Sequence, residues 1–186
     1  MLKKIKQLVW NYHFLKEFDK LKRKRTLINL ENAYKIGLIY NASEETSYIK
    51  VSQFVKFLQN KGKKVKALGF VKYKQIPHYC IPMLSFDFCT SKNINWFNKP
   101  SSVFVRDFIN EEFDIIIDLN LDNNLSGQYI SGLSKAKFKV GIFSESNSKY
   151  YDLMIKLDNK RNLNDYIKEL IHYLTIINTN TDEKKI

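Results

Sequence analysis

Asp118, Asn120 and Asp122 stand directly behind the apolar run Ile115-Ile116-Ile117. Asn41 and Ser43 stand in the same relation to the run ending at Tyr40, and Ser144 and Glu145 to the run ending at Ile142. If the three runs are parallel strands, these groups share the carboxyl edge of one sheet, where open α/β folds hold ligands. The candidate strand-end pocket is therefore Asn41, Ser43, Asp118, Asn120, Asp122 and Glu145. Asp118, Asp122 and Glu145 have the oxygen chemistry of a hard-cation site. Asn and Asp in such places also serve as turn and cap residues. That reading is preferred, and neither a metal nor a cofactor is expected. A phosphate loop needs glycines, so that backbone N–H groups can approach the anion. The turn Asn41-Ala42-Ser43-Glu44-Glu45 has none, and its two carboxylates repel phosphate. Ordinary nucleotide binding is not expected.

The remaining reactive residues form no nucleophile motif. His13, His78 and His172 are far apart in sequence, and none sits in a recognisable arrangement with Ser or Cys. His78-x-Cys80 followed by Cys89 lacks the paired short spacings of a zinc site. No catalytic residue is assigned, and the balance leans away from an enzyme. Trp96 and Phe97, beside Lys92 and Lys99, could stack on bases. Large apolar rings more often anchor a loop to the body. Two cysteines make no disulfide framework, and free thiols point to a reducing compartment.

Charge is unevenly spread. The chain has 186 residues and a formal net charge of +12. Residues 1–25 hold nine Lys/Arg and two acids, a local +7, which leaves +5 for the other 161. The basic arm is Lys16, Lys20, Lys22, Arg23, Lys24 and Arg25. Such an excess suits an acidic protein, nucleic acid or an anionic surface. No apolar run approaches the ~20 residues of a membrane span, and no small-residue cleavage site follows Trp10. The reading is a cytoplasmic protein without an integral membrane segment.

The elements that position these residues follow from periodicity. Leu2 to about Arg25 reads as a helix with one apolar stripe at Ile5, Leu8, Tyr12, Leu15 and Phe18, widened by Val9, Trp10 and Phe14. The stripe is expected to pack on protein, with the basic side facing solvent or an acidic partner. Tyr34–Tyr40 and Val65–Val71 read as strands flanking a helix that Ser43 would cap and Gly62 would stop. The segment 113–141 repeats the scheme: a β-branched strand buried on both faces, a helix at Leu125, Tyr129, Ile130 and Leu133, and a strand from Phe138. Leu84, Phe86 and Phe88 alternate as a short strand, and Ser102–Asn110 reads as a short helix. Tyr151–Leu157 reads as a last strand, and Leu163 to Leu174 as a closing helix. Residues 178–186 read as a frayed polar tail.

This order of elements carries residues such as N-L-E-N-A at 29–33, F-D-F at 86–88, N-W-F-N-K-P at 95–100 and L-S-K-A-K-F-K-V-G at 133–141. With them the chain resembles, over nearly its whole length, an uncharacterised bacterial family of short cytoplasmic proteins, one of the domains of unknown function. The resemblance implies a Rossmann-like fold and brings no activity with it. Residues 113–141 alone also resemble the N-terminal domain of heptosyltransferase-type glycosyltransferases, which implies fold more than activity.

The expected fold is α/β: a single Rossmann-like three-layer domain over residues 26–177, with a mostly parallel sheet of five or six strands. Residues 1–25 precede it as a basic amphipathic helix. The leading function class is a non-catalytic cytoplasmic binding or interaction module. The alternatives are a nucleic-acid or ribosome-associated protein acting through the basic arm, or a pared-down relative of sugar transferases.

Overall fold

Apolar, β-branched runs dictate the centre of the molecule. The computed structural model describes residues 2–122, 124–157 and 162–177. The strands are β1 (Lys35–Asn41), β2 (Lys64–Val71), β3 (Phe86–Thr90), β4 (Ile115–Asp118), β5 (Phe138–Ile142) and β6 (Leu153–Ile155). The helices are α1 (Leu2–Phe18), α2 (Glu45–Asn60), α3 (Val103–Asn110), α4 (Leu125–Leu133) and α5 (Leu163–Ile176). One six-stranded sheet has the order β3-β2-β1-β4-β5-β6, and every pairing is parallel. The order reverses between β1 and β4, the switch point of a doubly wound fold. The polar tail at 178–186 lies outside the described residues.

Alternation along each strand sends its side chains into two cores. Ile36, Leu38, Tyr40, Ile115, Ile117 and Val140 meet α2 and α5 on one face. Ile39, Leu68 and Ile116 meet α3 and α4 on the other, and α1 adds Trp10 and Phe14 to that cluster. Helix α4 is buried on every side from Ser126 to Leu133, because α1 lies over it as an outer layer. Gly132 makes this possible. A Cβ there would come within 2.5 Å of the Phe14 ring.

Two expectations for the N-terminus are corrected. The helix ends at Phe18, not near Arg25. Its last turn tightens, with Lys20 N–H donating to Glu17 O at 3.2 Å and Leu21 N–H to Phe18 O at 3.0 Å. The chain then runs as a strap. Arg23 donates through Nη1 to the carbonyls of Ala136 (3.2 Å) and Lys137 (3.1 Å) and through Nη2 to Asp152 Oδ1 (2.7 Å). Thr26 N–H donates to Lys137 O at 3.1 Å. These bonds tie the strap to the amino ends of β5 and β6, and tertiary contacts override the helix propensity of the Lys/Arg run. The stripe is also misassigned. Ile5, Leu8, Tyr12 and Leu15 are exposed, Leu8 by 67% and Tyr12 by 64%. The docked stripe is Trp10, Phe14 and the half-buried Phe18. Its rings stack at centroid distances of 4.7 Å and 5.5 Å.

Ser43 does not cap α2. Glu44 occupies that position without a side-chain cap bond. The Ser43 hydroxyl instead accepts from Lys72 N–H at 2.9 Å, which ties β1 to the end of β2.

Candidate functional site

Parallel strands bring the polar residues behind β1 and β4 to one edge. Asn41 accepts the Ser43 N–H at 2.9 Å and turns the chain out of β1. With Glu44, Ser47, Asn120 and Asp122 it lines a crevice of about 140 Å³ at the switch point. Three of the six expected pocket residues therefore meet: Asn41, Asn120 and Asp122. Ser43 is held by Lys72. Glu145 lies exposed in the short helical turn after β5. His78 and Cys80 sit apart from Cys89, whose thiol is buried in the opposite core.

Asp118 points under α4, and here the sequence signal was incomplete. Its Oδ2 accepts from the Tyr151 hydroxyl at 2.6 Å and from Ser131 at 3.4 Å. Its Oδ1 accepts from the Asn120 N–H at 3.0 Å and from Asn120 Nδ2 at 2.7 Å. Burial pushes the carboxyl up, although these donors pull the other way. The Tyr166 hydroxyl, from the opposite face, donates to the Asp118 carbonyl at 3.0 Å. Beside it Gln128 Nε2 donates to Asn147 Oδ1 at 2.9 Å. This network rigidifies the carboxyl end of β4. Asn120 Oδ1 is buried and has no partner among the described residues.

The basic arm divides by role. Lys16, Lys20, Lys22, Lys24 and Arg25 are exposed, whereas the Arg23 guanidinium is consumed by the strap. Glu17, which follows Lys16, turns inward to Lys99 Nζ at 2.5 Å and to the Tyr129 hydroxyl. Burial pushes its carboxyl up, but these bonds outweigh burial and hold it below its usual range. Phe97 stacks on His13 at 4.9 Å, and Trp96 is exposed. Between the end of α1, α3 and α4 lies a cavity of about 570 Å³, with Leu21, Val105, Ile109 and Leu133 in its wall.

Lys139 was missed. In F-K-V-G it reads as an outward strand residue, yet its side chain is 0% exposed. Its ammonium donates to Gly132 O at 2.6 Å, one of the carbonyls that the end of α4 leaves free. Burial first, then the nearby Arg23 charge, lower its pKa to about 7.

Residues 6–177 match the model of a family of unknown function. The chain belongs to that family, DUF6913. The match includes α1 from Lys6 onward, together with the strap, so the outer helix is part of the family's domain. No curated protein matches the chain, and the partial likeness to sugar transferases gains no support. Among the described residues no helix is long and apolar enough to cross a membrane.

Proposed function

We propose that this chain is a non-catalytic interaction module of the cytoplasm, and that the outer face of α1 docks onto an acidic amphipathic helix of a partner protein. The observation that carries the reading is the second apolar stripe of α1. Ile5, Leu8, Tyr12 and Leu15 are exposed at spacings of three, four and three, the seam of a helix that packs on another helix. Phe14 and Trp10 fix the helix on the domain, so the seam is presented on a rigid element. Lys4 and Lys16 flank it and are exposed, while Glu17 is turned away to Lys99. Charge complementarity therefore calls for an acidic partner.

Two copies of this chain would bring like charges together, which disfavours self-pairing. Leu8 and Leu15 would also suit a membrane interface, but the face carries neither Trp nor Phe, the aromatic anchors of helices that lie in one. A nucleic acid would leave the apolar stripe uncovered. The seam spans about 15 Å from Ile5 to Leu15, which suits a transient contact. Both cysteines are free and buried, in keeping with a reducing compartment.

The test is fluorescence anisotropy with a labelled peptide helix carrying leucine at the seam and glutamate on both flanks. The full chain should bind it saturably and more weakly at high salt. Leu8→Glu and Tyr12→Glu, at exposed positions, should abolish binding without moving Tm. Tighter binding to phosphatidylglycerol vesicles or duplex DNA than to the peptide would overturn the reading, as would a concentration-dependent dimer.

A further inference from the structure

A second site stands apart from the α1 seam and does not depend on it. A cavity of about 280 Å³ lies between the end of α1, the strap, β5 and the connection from β5 to β6. Arg23, Arg25, Lys139 and Lys149 line it, with Asp19 as the one carboxylate in its wall. Asp152 bonds Arg23 at 2.7 Å and approaches Arg25 Nε at 3.8 Å. No carboxylate lies within ion-pair distance of Lys139 among the described residues, and its ammonium makes one hydrogen bond, to Gly132 O. An ammonium has three donors. Two N–H groups of a fully buried cation are thus unpaired beside a cavity whose wall carries three further cations. A buried charge without its partners is costly, and an anion in the cavity supplies what is lacking.

We propose that this pocket binds a phosphate-bearing small molecule. Lys139 forms the floor, and Arg25 and Lys149, both exposed, form the mouth. Arg23 is held in place by Asp152 and contributes charge. Guanidinium and ammonium donors match the oxygens of a tetrahedral oxyanion, and the cavity leaves room for the group that bears it. Tyr150 also lines the wall, and a tyrosine hydroxyl can donate or accept. The binding is pH-dependent. A bound anion favours the charged form of Lys139, so occupancy takes up a proton and weakens as pH rises. The groups facing Lys139 are Arg23 and Arg25 from the strap, Asp19 behind α1, Lys149 and Tyr150 from the connection, Asp152 before β6 and the Gly132 carbonyl of α4.

The test is isothermal titration of the full chain with inorganic phosphate at fixed ionic strength, with chloride as the control and sulfate as a probe that does not itself titrate. Phosphate and sulfate should bind saturably and raise Tm where chloride does not. The double variant Arg25→Ala/Lys149→Ala, at exposed positions that leave the fold intact, should weaken binding about tenfold or more, the loss of about 1.4 kcal/mol. Lys139→Met should remove the pH dependence of sulfate binding. If Lys139→Met fails to fold, the double variant still decides. Vesicles containing phosphatidic acid distinguish the source. Binding to them that exceeds binding to free phosphate, and is lost in the double variant, assigns a lipid headgroup. Equal binding assigns a soluble phosphate ester. A phosphate effect no larger than that of chloride, or one unchanged in the double variant, would overturn the proposal.

Discussion

Replacing Phe14 by alanine probes whether α1 is part of the folded domain. Phe14 is 0% exposed. Its ring stacks on Trp10 and Phe18 and meets Tyr150 at 5.0 Å and Tyr129 at 6.0 Å. It also fills the space that Gly132 leaves open. A fully buried Phe→Ala change costs about 3–5 kcal/mol. For a domain of this size each kcal/mol moves Tm by roughly 2–4 °C, so the expected fall is about 6–20 °C. Leu8→Ala, on the exposed stripe of the same helix, should stay within about 0.5 kcal/mol. Urea unfolding followed by circular dichroism measures both. A loss below about 1 kcal/mol for Phe14→Ala would refute the docking of α1 on α4.

Ile116, at the centre of the sheet and 0% exposed, should not tolerate aspartate. Ile116→Asp buries an unpaired charge, and a folded variant with an unchanged Tm would contradict the placement of β4. Lys139 gives a pH signature: its folded pKa of about 7 lies below the unfolded value, so the unfolded chain binds more protons between the two. Stability should rise from pH 7 towards 9.5, by at most about 1.4 kcal/mol per pH unit, and Lys139→Met should flatten that rise. Above about pH 10 the trend should reverse, because Tyr151 and Tyr166 are held well above the usual tyrosine range by burial and ionise first in the unfolded chain. Glu17→Gln should cost roughly 0.5–1 kcal/mol, as its partners lie partly in solvent. The stability that Glu17 gives is present above the ordinary carboxylate range and lost as pH falls through its lowered pKa, which acid titration of the wild type and the variant will show.

The sheet was legible because Ile115-Ile116-Ile117 and, after Lys35, Ile36-Gly37-Leu38-Ile39-Tyr40 run without a charged residue, the pattern of a strand covered on both faces. The strand-end crevice was legible for Asn41, Asn120 and Asp122, because strand ends in a parallel sheet share one edge. Helix α1 was misread for a definite reason. It carries two apolar stripes, Ile5-Leu8-Tyr12-Leu15 and Trp10-Phe14-Phe18, and periodicity does not say which one docks. The choice is made 118 residues away from Phe14, by a glycine at position 132 that admits an aromatic ring. Lys139 was hidden similarly. An isolated Lys in an alternating strand reads as solvated, and only the outer layer formed by α1, together with the strap, buries it. The end of α1 was misplaced because Lys/Arg runs favour helix locally, whereas Arg23 is committed to Asp152 across the fold.

The central claim, that the outer face of α1 receives an acidic helix, is tested most directly by amide shift mapping on the isotopically labelled full chain titrated with the glutamate-flanked peptide. The largest shifts should lie along α1 between Ile5 and Leu15, with the buried Trp10 indole N–H and the Asn41–Asp122 crevice little changed. Shifts confined to the crevice or the strap, or none at saturating peptide, would contradict it.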